Sequence, residues 1–194
     1  MRDIKSVCVY CGSSSRVRQS YKDAAVELGL ILAREGIRLV YGGGQVGIMG
    51  IIADTVLQNG GEVTGIIPHF LNESEIGKAD VTELIAVDSM HVRKQIMAEK
   101  SDGFIVLPGG FGTLDEFFEI LTWRQLKLHD KPIVIADIDG YWAPLVGAID
   151  HIVDEGFAHQ RNRDLFKVIP SVAEILPTLQ DEPMGDTSIQ TART

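Results

Sequence analysis

At 194 residues the chain has the length of one domain, enough to bury a core without disulfide or metal staples. Hydrophobic residues make up 45% and charged residues 23%, which excludes a mainly disordered chain. Acidic residues outnumber basic ones 27 to 18, leaving a formal net charge of −9. The general field therefore repels phosphate and argues against nucleic acid or anionic lipid as a partner, while a local cationic pocket for one small anion stays open.

The N-terminal stretch MRDIKSVCVYCGSSS has a short apolar run that leads into a Gly/Ser loop, unlike a signal peptide. No apolar run approaches the roughly 18 to 20 residues needed to span a bilayer. A cytoplasmic protein is expected. The first strand is Ser6 to Tyr10, followed by the loop Gly12 to Ser15. Cys8 and Cys11 form a CxxC pair, but it lies on a strand and its exit, not at a helix N-terminus where a thiol becomes acidic. No further Cys or His stands at zinc spacing, so both read as buried structural thiols.

A helix follows over Ser20 to Glu35, with Ala24, Ala25, Leu28, Ile31 and Leu32 at helical spacing and Gly36 as its stop. Arg38 to Tyr41 is a strand entering the turn Gly42-Gly43-Gly44-Gln45-Val46-Gly47. A helix over Ile48 to Gln58 and a strand over Glu62 to Ile67 come next, then a polar loop from His69 to Asp80. Glu83 to Val87 is a strand, Met90 to Lys100 a helix, and Phe104 to Leu107 an apolar strand running into Pro108-Gly109-Gly110-Phe111-Gly112. Thr113 to Leu126 is a helix, Ile133 to Ala136 a strand, Trp142 to Glu155 a helix, and Pro170 to Leu179 a last short helix.

Short apolar strands alternating with helices predict an α/β fold, a mainly parallel sheet with helices on both faces. Residues 1–180 form one domain in this reading, and 181–194 a polar, flexible tail.

Ligands of such sheets bind beyond the carboxyl ends of the strands, where three loops carry unusual chemistry: Gly12 to Ser15, Gly42 to Gly50 and Pro108 to Glu116. Glycine lets backbone approach an anion, and a helix N-terminus adds unpaired N–H groups. Gly12, Ser13, Gly43, Gly44 and Gly47 are thus candidates for a phosphate-binding crevice. Gly42-x-Gly44-x-x-Gly47 satisfies GxGxxG, but it follows the second strand, and the next strand ends Ile66-Ile67-Pro68-His69 without the acid that would hold a ribose. No lysine follows either loop in P-loop fashion.

Pro108-Gly109-Gly110-Phe111-Gly112-Thr113-Leu114-Asp115-Glu116 is the most informative segment. Thr113 and Glu116 have capping-box spacing, so Glu116 could simply cap its helix. It could equally meet the sugar of a nucleotide held by the loop below it. Asp115 is turned about 100° away on the helix and is the weaker candidate.

This segment matches PGGxGTxxE. With Met90-His91-x-Arg93-Lys94 and Gly42-Gly43-Gly44-x-x-Gly47-x-Met49-Gly50 upstream, the chain resembles the Lonely Guy (LOG) family from about Val7 to beyond Pro170. The resemblance implies a dimeric phosphoribohydrolase of Rossmann-like fold. Such an enzyme cleaves the N-glycosidic bond of cytokinin riboside 5′-monophosphates, and in some members AMP, to free base and ribose 5-phosphate. It implies neither cofactor nor metal. It makes Glu116 and Arg93 the catalytic pair. It places Glu75, Lys94, Gly109, Gly110, Phe111, Gly112, Thr113 and Thr122 against the substrate.

The chemistry agrees with these residue types. Departure of the base builds positive charge on the anomeric carbon, which a carboxylate stabilises while orienting or deprotonating water. A non-catalytic nucleotide sensor is the competing reading, and an NAD-type oxidoreductase is disfavoured by the missing acid. The family's old label, lysine decarboxylase, finds no support, because Lys94, Lys100 and Lys127 lie in no constellation suited to pyridoxal phosphate.

Overall fold

The computed structural model describes residues 1–72, 77–183 of the chain. Seven strands form one sheet in the order β4-β3-β2-β1-β5-β6-β7, and every neighbouring pair is parallel. The strands are β1 (Ser6–Tyr10), β2 (Arg38–Tyr41), β3 (Val63–Pro68), β4 (Glu83–Val87), β5 (Gly103–Val106), β6 (Ile133–Ala136) and β7 (Lys167–Ile169). Helices α1 (Gln19–Arg34), α2 (Gly47–Gln58), α3 (His69–Asn72), α4 (Met90–Glu99), α5 (Phe111–Gln125), α6 (Ala143–Asp154) and α7 (Ile175–Asp181) connect or follow them.

Parallel strands must be covered on both faces, and the side-chain alternation divides each strand between two cores. Val7 and Val9 of β1, Leu39 and Tyr41 of β2 and Ile105 of β5 pack with Ala25, Leu28 and Leu32 of α1, Ile52 and Val56 of α2 and Leu179 of α7. Cys8 and Tyr10, Val40, Phe104 and Val106 point the other way, onto Met97 of α4, Phe117 and Ile120 of α5, and Ile149 of α6. The CxxC pair is split between these faces, and both thiols are free and buried.

The chain builds outward from β1 to β4 on one side, then returns through α4 to β5 on the other side of β1. The order therefore reverses between β1 and β5. Loops leaving these two strands diverge to opposite faces of the sheet and open a crevice at their carboxyl ends.

Three expectations change. His69–Asn72, read as loop, makes one helical turn. Lys167–Ile169 adds an edge strand hidden from sequence by its brevity and by exposed residues at its first two positions. The last helix begins at Ile175, after a 3-10 turn over Val172–Glu174. Asp181 ends α7, and Glu182 beyond it is tied down: Arg124 donates to its carboxylate at 2.7 Å, and Arg2 Nε donates to its backbone carbonyl at 2.9 Å. Residues 184–194, where the flexible tail is expected, lie outside the described residues.

The Arg124–Glu182 side chains are only 10% and 9% exposed, and Arg124 also donates to the Leu165 carbonyl at 2.7 Å. Removing one partner of a buried pair leaves the other charge uncompensated. Arg124→Ala is expected to lower the unfolding free energy by about 3 kcal/mol in urea titrations; a loss below about 0.5 kcal/mol would show that this contact does not fasten the C-terminal segment.

Candidate active site

A cavity of about 350 Å³ sits at the β1/β5 crevice. Its walls come from the end of β1 (Val9, Cys11, Gly12, Ser13), the end of β2 (Gly42), Met49 of α2, Leu71, Arg93 of α4, and the start of α5 (Gly110, Phe111, Gly112, Thr113, Glu116). The two residues singled out from the sequence, Arg93 and Glu116, face one space although 22 residues and a strand separate them.

Arg93 is 8% exposed. Its Nε donates to the Ile66 carbonyl at 3.1 Å and its Nη2 to the Gly42 carbonyl at 2.8 Å. These carbonyls lie at the ends of β3 and β2, so the guanidinium is clamped across two strands. A Cβ at Gly42 would run into the guanidinium, which is why the first glycine of the triplet carries no side chain.

Glu116 is 9% exposed. Burial raises its carboxyl pKa to about 7; the nearby Arg93 charge opposes the rise, and Asp115 adds to it. The capping-box alternative fails here. The helix begins two residues earlier than expected, at Phe111; its N-cap is Gly110, without a side-chain cap, and Glu116 stands on the second turn. The Gly109-Gly110 pair lets the chain pass from β5 into α5 without a capping side chain. The first N–H groups of α5 are left for a ligand or water, the arrangement that binds anions. Thr113 is buried beside Gly109, and Phe111 is 91% exposed at the mouth.

Other expected residues lie elsewhere. Lys94 does not line the cavity: its ammonium is paired with Asp115 at 3.0 Å and Glu119 at 3.2 Å, joining α4 to α5. Asp115 is accordingly a partner of Lys94. Thr122 is exposed further along α5, away from the cavity. Gly43, Gly44 and Gly47 support the walls. Gly43 accepts from the Lys78 N–H at 2.9 Å, and Gly44 forms a bridge with Gly77. Gly47 has φ +67° and abuts the Ser13 backbone, where a Cβ has no room. Glu75 lies outside the described residues. Sequence reasoning did not single out Val9, Cys11, Met49 and Leu71 as wall residues; the signals were the position of Cys11 at a strand exit and that of Met49 in the Gly42 to Gly50 loop. The Cys11 thiol is pushed up by burial and by Glu116, hence neutral.

Among the described residues no lysine lines the cavity, and no group of three His, Cys, Asp or Glu side chains is placed to hold a metal ion. No helix among them is long and apolar enough to cross a membrane.

Similar architecture occurs in solved structures. The molybdenum cofactor carrier protein of Chlamydomonas reinhardtii superposes with TM-score 0.68 at 24% identity, covering 89% of this chain and 94% of that one. The molybdenum cofactor binding protein of Rippkaea orientalis gives 0.66 at 23%, covering 92% and 96%. At such identities the likeness concerns the fold. Sequence relatives are nearer. Cytokinin riboside 5′-monophosphate phosphoribohydrolase LOG1 of Arabidopsis thaliana is 47% identical over 177 residues, 91% of this chain and 83% of that protein. LOG5 of the same plant is 45% identical over 190 residues, 97% of this chain and 83% of that protein. The family model described as "Possible lysine decarboxylase" matches residues 49–179. The cavity formed by the PGGxGTxxE segment and Arg93 thus stands in a chain that belongs to the Lonely Guy family of phosphoribohydrolases.

Proposed function

We propose that the chain hydrolyses the N-glycosidic bond of cytokinin riboside 5′-monophosphates, and AMP more slowly, to free base and ribose 5-phosphate. The observation that carries this is a buried carboxyl, Glu116, with pKa about 7, sharing a cavity with Arg93 at the uncapped start of α5. The phosphate occupies the N-terminus of α5, near Ser13, and the ribose stands above it within reach of Glu116. The exposed ring of Phe111 and the apolar Met49 and Leu71 offer surfaces to the purine.

In the reaction the C1′–N9 bond breaks with its electron pair leaving on the purine, and a water oxygen bonds to C1′. Ionised Glu116 stabilises the cationic ribose and takes a proton from that water, while the purine takes a proton from solvent as it leaves and Glu116 afterwards returns its own to solvent. Arg93 provides the positive charge opposite; its clamped geometry suits holding a ligand oxygen without reorganisation. Lys94 acts indirectly by fixing α5 against α4, and Thr122, which is exposed outside this chain's own cavity, meets substrate across a homodimer. A homodimer is supported by the apolar side chains exposed on and after α5, Phe118, Leu126 and Leu128.

Purified protein incubated with isopentenyladenosine 5′-monophosphate, and separately with AMP, is expected to release base and ribose 5-phosphate on chromatography. Glu116→Gln should lower kcat by about 100-fold or more while nucleotide still binds. Saturable binding without release by the native protein would instead identify a nucleotide sensor.

The active form of Glu116 is the ionised one, so kcat/KM is expected to fall as pH drops through about 7, by about tenfold per unit below it. A profile flat from pH 8 to 5.5 would remove Glu116 as the base. Sedimentation equilibrium is expected to give twice the 21.2 kDa chain mass, and a monomer at micromolar concentration would exclude the homodimer.

A further inference from the structure

We infer that Tyr141, which follows β6 and lies outside the catalytic cavity, is a positioning residue for the phosphate-binding loop. This inference rests on the function proposed above. Three successive carbonyls of that loop are each held by a donor from a different place. Pro108 O accepts from the Gly12 N–H at 3.1 Å, Gly110 O from the Leu114 N–H at 3.1 Å, and Gly109 O from the Tyr141 hydroxyl at 2.6 Å. Only the middle one depends on a side chain. A trans peptide is planar, with its C=O and N–H pointing in opposite directions. Holding the Gly109 carbonyl toward Tyr141 therefore aims the Gly110 N–H away from it. Between two glycines this peptide has the least steric resistance to rotation, so an external hydrogen bond decides its orientation.

Tyr141 is itself fixed from several sides. Its ring meets Tyr21 of α1 edge-on, centroids 5.3 Å apart, and Trp142 edge-on at 4.7 Å. Its N–H donates to Ile138 O at 3.1 Å, and the next N–H, of Trp142, donates to Asp137 Oδ1 at 2.6 Å. The tyrosine also borders a second cavity of about 250 Å³ with Ser13, Ser14, Gly109 and Gly110. Gly12, Ser13 and Gly110 face both cavities, so the Gly109–Gly110 peptide belongs to the partition between them. On one side stands the hydroxyl that orients the peptide; on the other stand Arg93 and Glu116.

Tyr141→Phe removes the hydroxyl and keeps both ring contacts. The KM for isopentenyladenosine 5′-monophosphate and the inhibition constant of ribose 5-phosphate are expected to rise together, roughly three- to tenfold, the size of one hydrogen bond. The inhibition constant of free adenine and the Tm should stay unchanged. An unchanged ribose 5-phosphate constant would overturn the inference. So would a parallel weakening of adenine with a lowered Tm, which a merely structural role produces. If the native protein hydrolyses nothing, the proposed function falls, and calorimetric titration of AMP into both proteins still decides the role of Tyr141. Weaker binding by the variant supports it; equal binding, or binding by neither protein, overturns it.

Discussion

The clamp that Arg93 makes on the carbonyls of Gly42 and Ile66 holds the site together. A guanidinium with little solvent access must spend its donors on protein oxygens, and backbone carbonyls at strand ends can serve without bringing a second full charge. The consequences spread outward. Gly42 can bear no side chain, the ends of β2 and β3 are tied to α4, and the positive charge is delivered to the crevice where strand order reverses. Glu116 reaches the same crevice from the opposite side, on the helix that follows β5.

Electrostatics then divides the labour. Among the described residues Arg93 is the one cation lining the cavity, and Glu116 is the one acid. Burial raises the carboxyl pKa to about 7 despite the arginine. That places the group where it can take a proton from water at neutral pH and give it back, which a solvent-exposed glutamate near 4.3 does poorly. The lysines that might have disturbed this balance are paired outside the cavity. Lys94 is held by Asp115 and Glu119, Lys78 by Asp54 and Asp80, and Lys100 by Glu83. Such pairing also leaves no amine positioned for Schiff-base chemistry at this site, which is why the decarboxylase description of the family model does not fit the cavity's residues.

Local patterns made most of the fold legible. The six longer strands are apolar runs, and α1 shows its buried stripe at Ala24, Ala25, Leu28 and Leu32. Strand β7 was not legible, because three residues of which Lys167 and Val168 are exposed carry no apolar run. The start of α5 was misplaced for a related reason. Thr113 and Glu116 offered a local capping pattern, whereas the chain turns at Gly110 and buries Thr113 instead. At the site, the family motif singled out Glu116 and Arg93, and both line the cavity. The clamp on Arg93 was not, since its partners lie 27 and 51 residues away. Lys94 read as a substrate contact from its place beside Arg93; its ion pairs with Asp115 and Glu119 on the next helix were not legible, because no local spacing reveals them.

The thin supply of cations bears on turnover. Ribose 5-phosphate keeps the phosphate that anchors the substrate, so any interaction with that phosphate is shared by substrate and product. Strong shared binding lowers KM without lowering the chemical barrier, and it slows departure of the product. A cluster of lysines in the crevice of a chain with net charge −9 would bind phosphate tightly and hold both alike. Neutral N–H groups at the start of α5 bind an anion by geometry, and their strength depends on how well each peptide is aimed. On the function proposed here, orientation of the Gly109–Gly110 peptide replaces added charge as the means of recognising phosphate, and the positive charge that is present stands beside Glu116, where the bond breaks.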